Sequence, residues 1–263
     1  MRPVAMNFAK GIIATLCLAV LIIPGDLLTL DRSSLAILAI SGIIGISLGD
    51  TFYFATLVRM GPRITLLIGT LIPVCVAIIS VLFLNERIAS SAWMGITLTI
   101  SGIAYVLWDR SSGDTKHARL GSGSLFAIAF VITNALGIIL TKLGVANIPT
   151  LEATFTREVA AVMSLPARGV MSRAFLAWVK PLQNTKLLGW LVLAAITGTF
   201  LGTWFSVIAL KYTYASVAAT LNSTSPLFIL PLVAIFFKEH ISIKSVAGAV
   251  MAVAGVGVYF VTI

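Results

Sequence analysis

Apolar residues run along this chain in long blocks separated by short polar joints. Nine blocks are long enough to cross a bilayer: 8–24, 34–57, 64–84, 91–108, 122–142, 151–171, 187–208, 214–236 and 243–262. A spanning helix needs about 20 mostly apolar residues. A barrel strand alternates apolar and polar side chains over about 10 residues, and these blocks do not alternate. The pattern predicts an all-α integral membrane protein with nine transmembrane helices, here spans 1 to 9. Only the joints 109–121 and 172–186 exceed about a dozen residues. Neither has room for a soluble domain, so function is expected within the membrane.

The blocks repeat. Residues 45–105 fall on 198–258 at a constant offset of 153, without a gap. Gly45 meets Gly198, Gly49 meets Gly202, Pro73 meets Pro226, Glu86 meets Glu239, and Gly102 meets Gly255. Matched Leu and Phe are cheap in an apolar chain, whereas matched Pro, Glu and Gly are not. Two related halves in a membrane protein point to a site between them, and first to a transporter. The halves are 1–108 and 122–263, joined by the linker 109–121. Spans 1 to 4 match spans 6 to 9, and span 5 has no partner. A repeat of five helices crosses the membrane an odd number of times and inverts its copy. The first half therefore either lacks a first helix, through truncation or a late start codon, or works as a nine-helix variant.

Composition agrees with a membrane setting. Charged residues make up 10% of the chain, hydrophobic residues 59%, and mean hydropathy is +1.07. Soluble domains carry roughly 25% charged residues. The net charge of +9 does not imply a nucleic-acid partner; its distribution sets orientation. Thirteen of the 18 Lys and Arg lie on the side of the N-terminus, four lie opposite, and Arg157 lies inside a span. The positive-inside rule places the N-terminus in the cytoplasm and the C-terminus outside. Cys17 and Cys75 sit in apolar blocks with no metal or redox spacing. Pro24-Gly25-Asp26 lacks the small-x-small pattern of a cleaved signal.

Ionisable groups inside spans are costly, about 2.5–3.5 kcal/mol on translocon scales, and default to functional candidates. Lys10 and Asp50 lie at similar depth on the cytoplasmic side and are expected to approach each other, as a structural pair or with Asp50 as a proton carrier. The second half breaks this pairing, because Arg157 matches Lys10 but Thr203 stands at the Asp50 position. Glu158 points about 100° away around the helix. Arg157 must then find carbonyls, water, Glu152, or the carboxylate or phosphate of a ligand. Pro73 and Pro226 break spans 3 and 8 and free the carbonyls of Gly69 and Asn222. Asn222 opens the most polar intramembrane run, Asn222-Ser223-Thr224-Ser225, and is a pathway candidate. Tyr53, Thr133, Asn134, Trp204 and Ser206 are further polar or aromatic candidates.

Glu86 and Glu239 end their helices at one point, which suggests a turn-and-cap role. The paired glycines suit close helix packing. Gly45-Ile46-Ser47-Leu48-Gly49 matches G-x-S-x-G, but it lies in an apolar helix and lacks the strand and His that the hydrolase motif needs. No catalytic set, metal site or cofactor motif is present in the sequence.

These features resemble the drug/metabolite transporter superfamily, and EamA-like transporters in particular. The resemblance rests on Leu66 to Gly102 and Ala219 to Gly255. Each runs through small polar residues and Pro, then an apolar stretch ending in Glu, then Gly-x6-Gly. The ends at Leu57 and at Leu210-Lys211-Tyr212-Thr213 also look like that family. The resemblance implies ten helices in two inverted repeats around a central cavity, with transport by alternating access and no ATP hydrolysis. It also implies two cytoplasmic termini, opposite to the charge count. The expectation is a secondary transporter, not an enzyme, moving a small polar metabolite, amino acid or drug-like solute across the cell membrane. Its pathway residues would be Lys10, Asp50, Tyr53, Asn134, Arg157, Trp204 and Asn222, with helix breaks at Pro73 and Pro226. Partners would be the solute, the bilayer and a second copy meeting through the glycine-rich spans 4 and 9. The alternatives are a non-transporting remnant or scaffold, and a lipid-carrier flippase.

Overall fold

A computed structural model describes residues 3–22, 30–86, 90–111, 120–171, 185–224 and 243–261. Pro226, Glu239 and the Ser225–Ser242 stretch lie outside the described residues. Among the described residues all regular structure is helical. In chain order the elements are α1 (Pro3–Leu21), α2 (Arg32–Ser41), the π-helical turn π1 (Gly42–Leu48), α3 (Gly49–Gly69), α4 (Leu71–Phe83), α5 (Ser90–Ser111) and α6 (Leu120–Gly144). There follow α7 (Thr150–Met171), α8 (Thr185–Ala194), the π-turn π2 (Ala195–Leu201), α9 (Gly202–Tyr212), α10 (Ala215–Asn222) and α11 (Ile243–Val261).

Among the described residues four helical stretches are long and apolar enough to cross a membrane: Arg32–Gly61, Ile64–Phe83, Gly123–Gly144 and Leu188–Tyr212. Shorter apolar helices cover Met6–Leu21, Trp93–Tyr105 and Val246–Val256. The break between spans 2 and 3 is made by Gly61, whose φ of 81° is open to glycine at no steric cost. A second break at Thr70 separates α3 from α4 and puts Pro73 in the first turn of α4, where the missing N–H matters least. At the start of α2, hydrogen bonds from the Ser33 hydroxyl and the Ser34 amide hold the Asp31 carboxyl at about 2. That cap is intact above pH about 4 and weakens as pH falls toward the folded value.

The chain divides into two compact units, each drawing on both sides of the 109–121 linker. One comprises Met1–Ala55 and Thr133–Thr213, the other Thr56–Ile132 and Tyr214–Ile263.

In the first unit α7 packs against α1, α2, π1 and α9. Leu38, Val145, Ile148, Ala153 and Val207 form a buried apolar cluster. Close approach depends on glycine. A Cβ at Gly42 would lie 2.1 Å from the Arg157 carbonyl oxygen, and one at Gly137 would lie 2.5 Å from the Gly45 Cα. Lysines close the helix ends: Lys142 Nζ donates to the Leu210 and Thr213 carbonyls (2.9 and 2.7 Å), and Lys211 Nζ to that of Ile148 (2.8 Å). Two such bonds answer carbonyls at the C-terminus of α9, where cations are favoured.

In the second unit α5 packs along α11. The contact is reciprocal. A Cβ on Gly102 would meet Gly248 O and Ala252 N at 2.5 and 2.6 Å, and one on Gly255 would meet Thr99 N and Gly95 O at 2.6 and 2.7 Å. Gly95, Thr99 and Gly102 are the sequence equivalents of Gly248, Ala252 and Gly255, and Thr99 Oγ1 reaches Ala252 O at 3.3 Å. Each helix therefore reads the other as a two-fold partner would. A homodimer through spans 4 and 9 would have to use their other faces. Glu86, at the end of α4, is buried and caps another helix: Oε1 accepts from the Ala215 amide at 2.7 Å, and Oε2 accepts the Ser216 hydroxyl at 3.4 Å. The expected turn-and-cap role is thus played across the fold, at the N-terminus of α10.

The two π-turns stand at the same 153-residue offset. Their surroundings differ. Gly45 and Gly49 pack on Gly137 and Asn134 of α6, whereas a Cβ on Gly198 meets no atom within 4 Å among the described residues. The place that α6 takes beside π1 has no described counterpart beside π2.

Two expectations follow from this packing. Gly137→Ala and Gly255→Ala should each lower the thermal unfolding midpoint of the detergent-solubilised protein, by overpacking worth about 1–3 kcal/mol, while Gly198→Ala leaves it unchanged. Glu86→Gln, which keeps one acceptor, should cost less than Glu86→Ala, which strands two buried donors at roughly 1–3 kcal/mol. Equal midpoints for the two Glu86 variants would show that the cap contributes nothing.

Candidate functional site

The polar side chains of the first unit are arranged around π1. A π-turn widens the helix and disturbs its ladder of carbonyls, and such turns often occur at functional sites. Asn7 of α1, 1% exposed, answers two of these carbonyls: its Nδ2 donates to Ile46 O at 3.0 Å and Ser47 O at 3.4 Å. Ser164 of α7 donates its hydroxyl to Ser47 Oγ at 2.7 Å, and Thr51 Oγ1 donates back to Ser47 O at 2.5 Å. Three elements are thereby tied to one widened turn.

One helical turn beyond Asn7 on α1, Lys10 Nζ donates to Asp50 Oδ2 on α3 in a direct ion pair. Both side chains are half-buried, at 20% and 25% exposed. The approach expected from their depth is present. Lys10 Nζ also lies 5.5 Å from the centre of the Phe54 ring, within cation–π range. Tyr53 is in electrostatic reach of both Lys10 and Asp50 and stacks edge-on to Phe54. Asn134 of α6 presents its amide to the surface of Gly49, where a Cβ would come within 2.7 Å of Nδ2.

Arg157 is 8% exposed. Its Nε donates to Ser41 Oγ at 3.0 Å, and Nη2 lies beside Gly45. Ser41 in turn donates its hydroxyl to Leu38 O at 2.7 Å, so its lone pairs are free to receive the guanidinium. Among the described residues Arg157 makes no ion pair, and the Ser41 bond engages Nε alone. The flat fork of Nη donors suits a carboxylate or phosphate. Glu152 does not pair with it.

Glu158 was missed as a site residue because its place one position after Arg157 turns it to another face. That face is the interior: Glu158 is 0% exposed, and among the described residues neither carboxyl oxygen has a hydrogen-bond partner. The signal was in the sequence. An acid inside a span, where the first half has Gly11 after Lys10, is a departure from symmetry.

The other candidates lie elsewhere. Trp204 donates Nε1 to Thr150 Oγ1 at 3.3 Å and stacks on Phe200 and Phe205. Asn222 ends α10 and Pro73 begins α4, both in the second unit, and Pro226 falls outside the described residues. The second unit also carries an open groove of about 400 Å³ whose accessible wall is apolar, lined by Met60, Ile68, Cys75 and Val131 among others. Such a wall suits an acyl chain better than a polar solute.

Several helices long and apolar enough to span a bilayer define a multi-pass membrane protein. The chain belongs to the EamA-like transporter family, whose sequence profile matches residues 1–108 and 121–261. It is 27% identical over 247 residues to an uncharacterized transporter of Archaeoglobus fulgidus, covering 92% of this chain and 82% of that one. A crystal structure of another protein shares the fold with a TM-score of 0.73 at 17% identity, over 100% of this chain and 89% of that one.

The ion pair makes a specific prediction. Lys10→Met and Asp50→Asn should each lower stability by roughly 1.5–3 kcal/mol, the range for hydrogen bonds to charged groups. The double variant should recover part of the loss, since removing one partner alone leaves a buried charge unanswered. Strictly additive losses in a double-variant thermal unfolding cycle would refute the coupling.

Proposed function

We propose that this protein is a secondary transporter that carries a small polar metabolite across the cell membrane by alternating access. The observation that carries the reading is Arg157. A buried guanidinium in a membrane protein is costly, and among the described residues its Nη fork is not committed to an acid. A solute bearing a carboxylate or phosphate would complete it. Membership of a transporter family supports the transport part of the reading. Two inverted repeats are the architecture that accounts for the offset of 153 residues, the paired π-turns and the reciprocal contact of α5 with α11. In this reading the Lys10–Asp50 pair braces α1 against α3, and Asn7 keeps the widened turn in place.

Uptake into proteoliposomes tests it, with radiolabelled amino acids, organic acids, sugar phosphates, neutral sugars and amines offered separately. Saturable uptake of at least one class is expected. Arg157→Ala should abolish it. Arg157→Lys keeps the charge but loses the fork, and should reduce it about tenfold, equivalent to about 1.4 kcal/mol. Failure of the unaltered protein to move any class, or undiminished uptake by Arg157→Ala, would overturn the reading.

A further inference from the structure

Glu158 has no part in the scheme above, and its surroundings are unusual. From α1 the charge facing it is Lys10; from α3 it is Asp50; on its own helix it is Arg157. The other elements packed against α7 bring no further charge to it. π1 has no ionisable residue, Arg32 is exposed at the start of α2, and Lys211 of α9 is held by the Ile148 carbonyl. Lys10 is engaged by Asp50, and Arg157 by Ser41. Thr203 of α9 also faces Glu158, and its hydroxyl lies against the Thr199 carbonyl as well. Thr203 Oγ1 makes no hydrogen bond to either Glu158 oxygen, so the carboxyl is left with one hydroxyl nearby that its neighbour's carbonyl also claims. Burial at 0% exposure with no hydrogen bond to either oxygen strongly favours the protonated carboxyl over the ionised one.

The charge count of the cluster then matters. With Glu158 ionised, Lys10, Asp50, Arg157 and Glu158 sum to zero. With Glu158 protonated they sum to one positive charge, and the Nη fork of Arg157 is the uncommitted part of it. We propose that Glu158 is a proton-binding site that converts this cluster into a receptor for a singly charged anionic group, a carboxylate or phosphate, held by Arg157. One proton taken from water on the entry side protonates the Glu158 carboxylate, one negative charge arrives with the solute, and the loaded cluster is again neutral. Release of the solute and of the proton on the other side restores the starting form. The substrate class and its proton coupling rest on the transport reading; the proton site itself does not.

The full chain in proteoliposomes provides both tests. Infrared difference spectra recorded across pH read protonated carboxyls directly by their C=O stretch. A band is expected that is lost in Glu158→Gln, shifted in Glu158→Asp, and retained in Asp50→Asn. Acetate, L-glutamate or inorganic phosphate, added at fixed pH, should strengthen the band for at least one of the three, since linkage is reciprocal. Glucose and putrescine should not. Uptake of that anion should rise as external pH falls, with affinity changing up to about tenfold per pH unit for one coupled proton. In Glu158→Gln uptake should persist without pH dependence. A band that survives Glu158→Gln, or one that disappears in Asp50→Asn, overturns the assignment to Glu158. A band that none of the three anions alters overturns the anionic class. If the band responds to an anion but no solute is taken up, the transport reading fails while the proton site stands. If uptake is robust but pH-independent and the band is absent, the reverse holds. Glu158→Asp, which retains a carboxyl, keeps the test decisive should the Gln variant not fold.

Discussion

A polar group in the bilayer core must be answered from within the protein, because no water is there to do it. Most of the first unit can be read as a set of such answers. The widened turn π1 loosens its own carbonyls, and Asn7 arrives from α1 to satisfy Ile46 and Ser47. Asp50 is answered by Lys10, Arg157 by Ser41, and the C-terminal carbonyls of α9 by Lys142. In the second unit Glu86 closes the amide end of α10. The helices are placed where these demands can be met. Glu158 stands apart because neither of its oxygens is answered, and unanswered groups are where a membrane protein has chemistry to spare.

The repeat supplies a scaffold, and departures from it supply the chemistry. The π-turns recur at one offset, and α5 and α11 meet through equivalent residues in both directions. These features carry little charge and serve close packing. The polar sites do not repeat. Lys10 has Asp50, whereas Arg157 has Thr203 at the equivalent place and a new acid, Glu158, one residue along its own helix. Gly11, at the position matching Glu158, instead lets α1 approach Val162 of α7. A single exchange of glycine for glutamate thus turns a packing position into an ionisable one. Near π2 the glycines Gly198 and Gly202 are exposed, while their equivalents near π1 are closed by α6.

Much of this was legible along the chain. Apolar block length indicates helices, the shared offset indicates two related halves, and equal depth along the spans brings Lys10 and Asp50 together. Other features could not be read there. Glu86 was recognisable as a cap, but the helix it caps begins 129 residues later, and local spacing says nothing about so distant a partner. The glycines of spans 4 and 9 looked like a surface for a second copy, and in the fold they face each other.

Sequence alone determined the helical class and the family, because block length, scarce prolines and paired glycines are local quantities that survive without knowledge of contacts. Beyond the Lys10–Asp50 pair, the tertiary structure decided which charges are satisfied. Whether a buried carboxyl has a donor depends on groups contributed by several separate helices, here α1, α3, α7 and α9. Arg157 and Glu158 are neighbours in the chain, yet one is held by α2 and the other is left open, a distinction set by the 100° turn between successive helical residues and by what packs on each face.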